Sequence, residues 1–347
     1  MNQDCSITCD SPAEAVAVVP YLLGFHPTES LVVLGLIDRT VDFAVRYDLP
    51  PPDCTDFSGV GTLIARQGIE RVLILGYGPP DLVTTTLDGV REALTFARVR
   101  VDDMIRVADG RWWSYQGGPA DGTPCAPGLA AQAVYHGMVA LPDRKALMAK
   151  VSPVKGAERA EMTAATERAR RRVRDEMTGD EERWIRSAAR EAIRRTERAA
   201  RDGQPLGADE VAWLGLLLVS SAALEHVAER TGPDDWRVRL WTDVVRRVDP
   251  ILAPGPACLL AYAAWQAGDG ALARVAVDRA LREDPLHRLA GTLDRLLAAG
   301  IRSHSLVVLP PFKARRRPRT GAQREASARP GSGGGRRRRR GARRRSL

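Results

Sequence analysis

The stretch RVLILGYGPP, residues 71–80, decides how this chain is read. From Val72 to Leu75 every position is apolar, and the run ends in Gly76-Tyr77-Gly78 and two prolines. A strand exposed on one face alternates apolar with polar residues, whereas one covered on both faces is apolar at consecutive positions. The following residues supply a cover: between Leu82 and Ala97, the residues Leu87, Val90 and Leu94 recur at helical spacing. Working backwards, SLVVLGLI (30–37) and VDFAVRYDL (41–49) flank Asp38-Arg39-Thr40, which reads as a hairpin with Val41, Phe43 and Val45 inward. Working forwards, MIRVADGRWWSY (104–115) carries the two-residue loop Asp109-Gly110, a strong local hairpin signal. Ser11-Pro12-Ala13-Glu14 opens a first helix with an N-cap Ser, a Pro at the first helical position and a Glu three residues after the cap. It should end near Leu22, at Gly24 and Pro27. A short helix is expected from about Asp56 to Gln67. Residues 1–128 thus read as a mixed α/β domain of about five strands with flanking helices.

After GGPADGTPCAPG (117–128) the texture changes, and up to Gly300 nearly every segment has helical period. Residues 129–312 read as an all-α, tetratricopeptide-like helical domain. Glu158–Thr178 and Asp180–Arg201 are two charge-laced helices broken at Gly179, in which Glu167/Arg171, Glu191/Arg195 and Glu197/Arg201 suggest a solvated face. DVVRRVDP (243–250) and DRALREDP (278–285) share D-x-x-x-R-x-D-P at an offset of 35 residues, close to the period of a helix-hairpin repeat. In the second copy Ala273, Val277, Ala280 and Pro285 occupy the small, large, small and proline positions of that repeat. Such a helix pair could present a groove to a protein partner.

Bulk composition narrows the classes. A chain of 347 residues with 44% apolar content is long enough for two cores. The longest apolar run, WLGLLLVSSAAL (213–224), is well short of the roughly 20 residues that cross a bilayer, so no membrane span is expected. The start MNQDCSITCD lacks a basic and an apolar region, and a cytoplasmic location is the expectation. Cys5, Cys9, Cys54, Cys125 and Cys258 are odd in number and scattered, which is not a disulfide framework. Cys5 and Cys9 with His26 lack a second ligand pair at matching spacing, so no metal site is read. The formal charge of +9 is uneven: residues 313–347 hold fifteen Lys or Arg against Glu325 alone, which leaves residues 1–312 at −5. That extremity reads as a disordered Arg-rich tail. Its clusters Arg315, Arg316 and Arg317, then Arg336, Arg337, Arg338, Arg339 and Arg340 with Arg343, Arg344 and Arg345, are candidates for non-specific, salt-sensitive polyanion binding.

Six ordered motifs carry a resemblance: PYLLGFHPTESLVVL (20–34), RYDLPPP (46–52), GYGPP (76–80), DGRWWSY (109–115), VYHGMVALPDR (134–144) and AWQAGDGALARVAVDRALREDP (264–285). Together they resemble an actinobacterial family known as a domain of unknown function, over roughly residues 10–300. The resemblance implies no activity. Members of that family often carry a Cys-rich stretch after the Trp-Trp hairpin, of which this chain keeps Cys125 alone.

Candidate sites follow from the α/β reading, because ligands of open sheets dock beyond the carboxyl ends of the strands. That rule selects Arg46 and Asp48 after the second strand and Tyr77 after the central one. Arg111, Trp112, Trp113 and Tyr115, on the outgoing arm of the last hairpin, are expected at the same edge. A guanidinium fork, a carboxylate and aromatic walls suit a small planar or anionic ligand. On the other side, Trp112 and Trp113 point to opposite faces of a strand, and Arg46 and Asp48 share a face on which they could pair locally. His26 and Ser30 lack the tight strand-to-helix elbow of a hydrolase nucleophile; Phe25 is expected to staple the helix end and Ser30 to bond local backbone. Three readings stand. The first is a non-enzymatic ligand-binding or regulatory protein, with no cofactor specified. The second is an enzyme with Asp48 as acid or base and Arg46 or Arg111 holding an anion, and the third is a nucleic-acid binder acting through the tail.

Overall fold

The computed structural model describes residues 7–301, apart from 52, 54, 55, 127–129, 136 and the side chain of 132. The described residues all fall within one compact unit. Cys5, Cys54 and the whole tail with its arginine clusters lie outside the described residues.

The first half is a six-stranded mixed sheet. Helix α1 (Pro12–Leu23) precedes β1 (Ser30–Ile37) and β2 (Thr40–Asp48). Then come α2 (Ser58–Arg66), β3 (Arg71–Tyr77), α3 (Pro80–Phe96), β4 (Arg100–Ala108), β5 (Arg111–Ser114) and β6 (Thr123–Pro124). Strand order is β2-β1-β3-β4-β5-β6, and only β3 and β4 run parallel, joined by α3. The local signals behave as their chemistry requires. Ser11 Oγ accepts the Glu14 N–H at 3.3 Å, and Gly24 (φ +74°) turns the chain out of α1. Asp109 and Gly110 both have positive φ, +50° and +71°, as a two-residue turn with the twist of its strands demands.

One face of the sheet packs on α2 and α3. Leu31 and Val33 of β1 and Val72 and Ile74 of β3 join Ile64 of α2 and Val83, Leu87, Val90 and Leu94 of α3 in a single core, against which Phe43, Val45 and Tyr47 of β2 pack. The opposite face carries Val32, Leu34, Leu73 and Leu75, all buried, and α1 lies over it, touching β2 and β4. Both faces of β1 and β3 are therefore covered, which is why their runs do not alternate. The sixth strand, Thr123–Pro124, sits in a segment that reads as loop. It is too short for periodicity, and its pairing with Arg111 and Trp112 is a contact the local pattern does not carry.

The second half is helical: α4 (Ala131–Tyr135), α5 (Arg144–Ala149), α6 (Gly156–Glu176), α7 (Glu181–Arg201), α8 (Ala208–Leu217), α9 (Ser221–Ala228), α10 (Asp235–Arg247), α11 (Pro254–Gln266), α12 (Gly270–Glu283) and α13 (Arg288–Ala298). Helices α11 and α12 form the closely packed pair that the repeat pattern anticipates, with Ala273, Val277 and Ala280 fully buried. Two of the three charge pairs in α6 and α7 differ from their helical spacing. Glu191 does meet Arg195, but Glu167 pairs with Arg170. Glu197 is buried and faces Arg237 of α10 at 3.6 Å, while Arg201 lies over the Trp236 ring. Helix packing turned Glu197 inward, whereas Glu191, Arg195 and Arg201 stay on the exposed side of α7. The two halves also touch: the His26 N–H donates to Leu141 O and the Leu141 N–H to Gly24 O, and Gln67 Nε2 donates to Gly300 O.

Candidate functional site

The strand register decides which sequence candidates meet. Ser30 pairs with both Asp48 and Tyr77, Tyr77 with Val107, Val107 with Trp112, and Trp112 with Thr123. These residues line one edge of the sheet on one face, the α1 face, and Arg46 is two residues back along β2. Because side chains alternate along a strand, Arg111 and Trp113 fall on the opposite face. Tyr115 joins them there, since its Oη lies 2.6 Å from Thr84 Oγ1 on α3. The structure thus brings Arg46, Asp48, Tyr77 and Trp112 to one side and separates Arg111, Trp113 and Tyr115 from them.

Most of these groups already have partners. Arg46 Nη2 lies 2.5 Å from Asp48 Oδ1, and its Nε donates to Ser30 Oγ at 2.9 Å; Ser30 Oγ in turn donates to Thr28 O at 2.6 Å. Arg111 donates to Asp121 O and Gly122 O and pairs with Asp121 Oδ2 at 3.1 Å, so it ties down the loop that returns as β6. Trp113 Nε1 donates to Ala120 O, and the Arg106 guanidinium stacks 3.7 Å from its ring centroid. Tyr77 differs: its hydroxyl is buried with no hydrogen-bond partner among the described residues. Burial pushes its pKa far above the ordinary phenol value, and the nearby Cys125, itself raised by burial, pushes the same way. Both are neutral at physiological pH, which makes Tyr77 a hydrogen-bond donor and not a base. His26 is exposed, and Phe25 is buried and bridges to Leu141. The His26–Ser30 stretch links α1 to β1.

Three features escape the sequence reading. Asp103, buried in mid-strand β4, accepts the Ser114 hydroxyl at 2.9 and 2.8 Å through its two oxygens and the Met104 N–H at 2.7 Å. Desolvation raises its pKa despite those bonds. An Asp inside a strand is the signal that could have found it. In the helical half Cys258 Sγ lies 3.5 Å from His287 Nδ1, but that nitrogen also accepts the Ala290 N–H as the N-cap of α13. Burial raises the thiol and lowers the imidazole, so both are neutral and the pair is a packed cap without a thiolate. The third feature is a groove of about 1000 Å³ between α6, α7 and the α8–α9 junction. Val173, Trp184, Ile185, Leu216 and Val219 form its apolar lining, and Val219 is 66% exposed. Arg170 and Arg174 near the end of α6 and Asp180, Glu181 and Glu182 at the start of α7 also line it. A Trp inside the charge-laced α7 was its sequence trace: Trp184 packs edge-on to Trp213, their ring centroids 6.0 Å apart.

Among the described residues no group of three or more His, Cys, Asp or Glu side chains could hold a metal ion, and no single helix is long and apolar enough to cross a membrane. No curated protein and no solved structure matches the chain. A family model does match, over residues 12–304, and it spans the sheet, the strand-edge row and the helical groove alike; the chain belongs to the family described as Domain of unknown function (DUF4192).

Proposed function

We propose that this chain is a non-enzymatic interaction protein whose helical half holds an amphipathic helical segment of a protein partner in the groove between α6, α7 and the α8–α9 junction. The observation that carries the reading is Val219, a β-branched apolar side chain 66% exposed beside Trp184 and Ile185 in a groove of about 1000 Å³. Water-exposed apolar surface bordered by charged residues is what an amphipathic helix covers in helix-in-groove recognition. Arg174, Asp180 and Glu181, which line the groove without an ion-pair partner among the described residues, favour a segment that carries both basic and acidic groups beside its apolar face. The division into an α/β domain to residue 128 and a helical domain beyond it, and a cytoplasmic setting, belong to the same proposal.

Panning the full chain against a displayed library of helical peptides tests this. Binders should carry apolar residues at i, i+3 or i+4 and i+7, and Val219→Asp and Ile185→Asp should each weaken them at least tenfold by fluorescence anisotropy. Binders indifferent to both substitutions would remove the groove from the reading.

A second reading is favoured by the Tyr77 hydroxyl, which is buried without a partner among the described residues, on the same face as Arg46 and Trp112. A small ligand offering an acceptor to Tyr77 and an anionic group to Arg46 would suit it. Titration calorimetry against metabolite pools, with Arg46→Ala as control, tests that reading, and unchanged heat in the variant would exclude Arg46. If turnover accompanies such binding and Asp48→Asn leaves it intact, Asp48 is not its acid or base. The arginine clusters between 315 and 345 would add polyanion contacts, which deletion of residues 313–347 should abolish at low salt.

A further inference from the structure

Helices α2 and α3 cover one face of the sheet, and their own outer side forms a second groove, of about 750 Å³. A Cβ on Gly61 would stand 2.7 Å from Ala93 O, and one on Gly89 would stand 2.4 Å from the Phe57 ring. Both contacts span the same sequence offset, so the two helices run side by side in the same direction. The groove between them is therefore polar along its length. Asp56, Phe57 and Gly89 stand at one end, Arg66 and Phe96 at the other. Phe96 is 93% exposed, an aromatic ring standing in water at the lip of a channel floored by Ala65, Ala93 and Ala97. Neither Arg66 nor Asp56 has an ion-pair partner among the described residues; the Asp56 carboxylate accepts the Ser58 N–H at 2.9 Å and is also bonded by the Ser58 side chain.

We infer that this face is a homodimer interface, in which two copies stack their α2–α3 grooves in opposite directions about a twofold axis. An isologous contact must be self-complementary; here Arg66 and Asp56 are of opposite sign and Phe57 and Phe96 are both aromatic, while Glu92 adds an acid to each side near the middle of the groove. Reversing one copy sets Arg66 against the second copy's Asp56, twice per dimer, and lays Phe96 against the second copy's Phe57, whose ring covers its own Gly89. An aromatic knob then leaves water on each side, and two unpaired charges of opposite sign are neutralised. The footprint is small: nine residues of α2 rise about 14 Å, and two helices side by side are about 20 Å wide. That lies well below the roughly 800 Å² per partner of a standard interface, so the dimer is weak and concentration-dependent. The groove differs from the one lined by Val219, and the inference does not depend on the function proposed above.

Sedimentation velocity on the full chain at physiological salt, from low micromolar to near-millimolar loading, is the test. The weight-average mass should climb from 37.8 kDa towards twice that value. Phe96→Ser should weaken association at least tenfold, and because that side chain is exposed the circular dichroism spectrum should not change. Arg66→Asp and Asp56→Arg should each weaken it several-fold, while the two together in one chain should restore it. A wild-type mass fixed at 37.8 kDa throughout would overturn the inference. Association that survives Phe96→Ser unchanged, or a charge swap that fails to restore what the single changes remove, would overturn it as well.

Discussion

Gly61 and Gly59 sit two residues apart in α2 and should respond to the same substitution in opposite directions. At Gly61 an added methyl would lie 2.7 Å from the Ala93 carbonyl oxygen and 3.1 Å from its carbon, and these are backbone atoms of α3 that cannot rotate aside. The helices must separate, loosening the contacts that Ile64 and Leu94 make in the shared core. Overpacking of this kind costs about 1–3 kcal/mol. Replacing Gly by Ala in a helix returns about 0.8–1 kcal/mol through the lost freedom of the unfolded chain. Gly61→Ala should therefore destabilise by up to about 2 kcal/mol. At Gly59 nothing lies within 4 Å of the added methyl, so only the propensity gain remains, reduced to a few tenths of a kcal/mol by its place in the first turn. Urea unfolding followed by circular dichroism, with both variants sharing one m-value, measures the difference. Equal midpoints for the two variants would show that α2 and α3 are not in backbone contact, and the packing account of this face would fail.

Glu197→Ala should cost about 3 kcal/mol or somewhat less, because it strands the Arg237 guanidinium, 17% exposed, with Asp234 alone, whereas Glu191→Ala on the outer side of the same helix should stay within about 0.5 kcal/mol. Comparable losses in chemical unfolding would contradict the inward orientation of Glu197. Asp103 has a folded pKa raised by desolvation, so the folded state binds its proton more tightly than the unfolded chain does. Its contribution is present below the unfolded pKa and lost as pH rises through the folded one. Asp103→Asn should flatten the fall in melting temperature on the alkaline side of pH 4, and an unchanged slope would mean that this carboxyl does not titrate differently on folding. Tyr77→Phe deletes a buried hydroxyl without a partner among the described residues and should leave stability unchanged or raise it by up to about 1 kcal/mol. A loss larger than that in thermal denaturation would show that the hydroxyl holds a bound group.

The chain's local chemistry determined its elements. Val72 to Leu75, Ser11 with Gly24, and Asp109-Gly110 each act within a few residues: a strand apolar on both sides, a helix between its caps, a turn that needs positive φ. The strand-end row was legible for the same reason, since Asp48 and Tyr77 each end a strand. Which side each candidate takes was a matter of register. A one-residue step reverses a side chain's face, and Arg111 parts from Trp112 by that step. The sixth strand, the burial of Glu197 against α10 and the grooves around Val219 and Phe96 were decided only by tertiary packing. Each depends on pairs of residues far apart in the chain, and helical spacing says which side chains share a stripe but not what that stripe will meet.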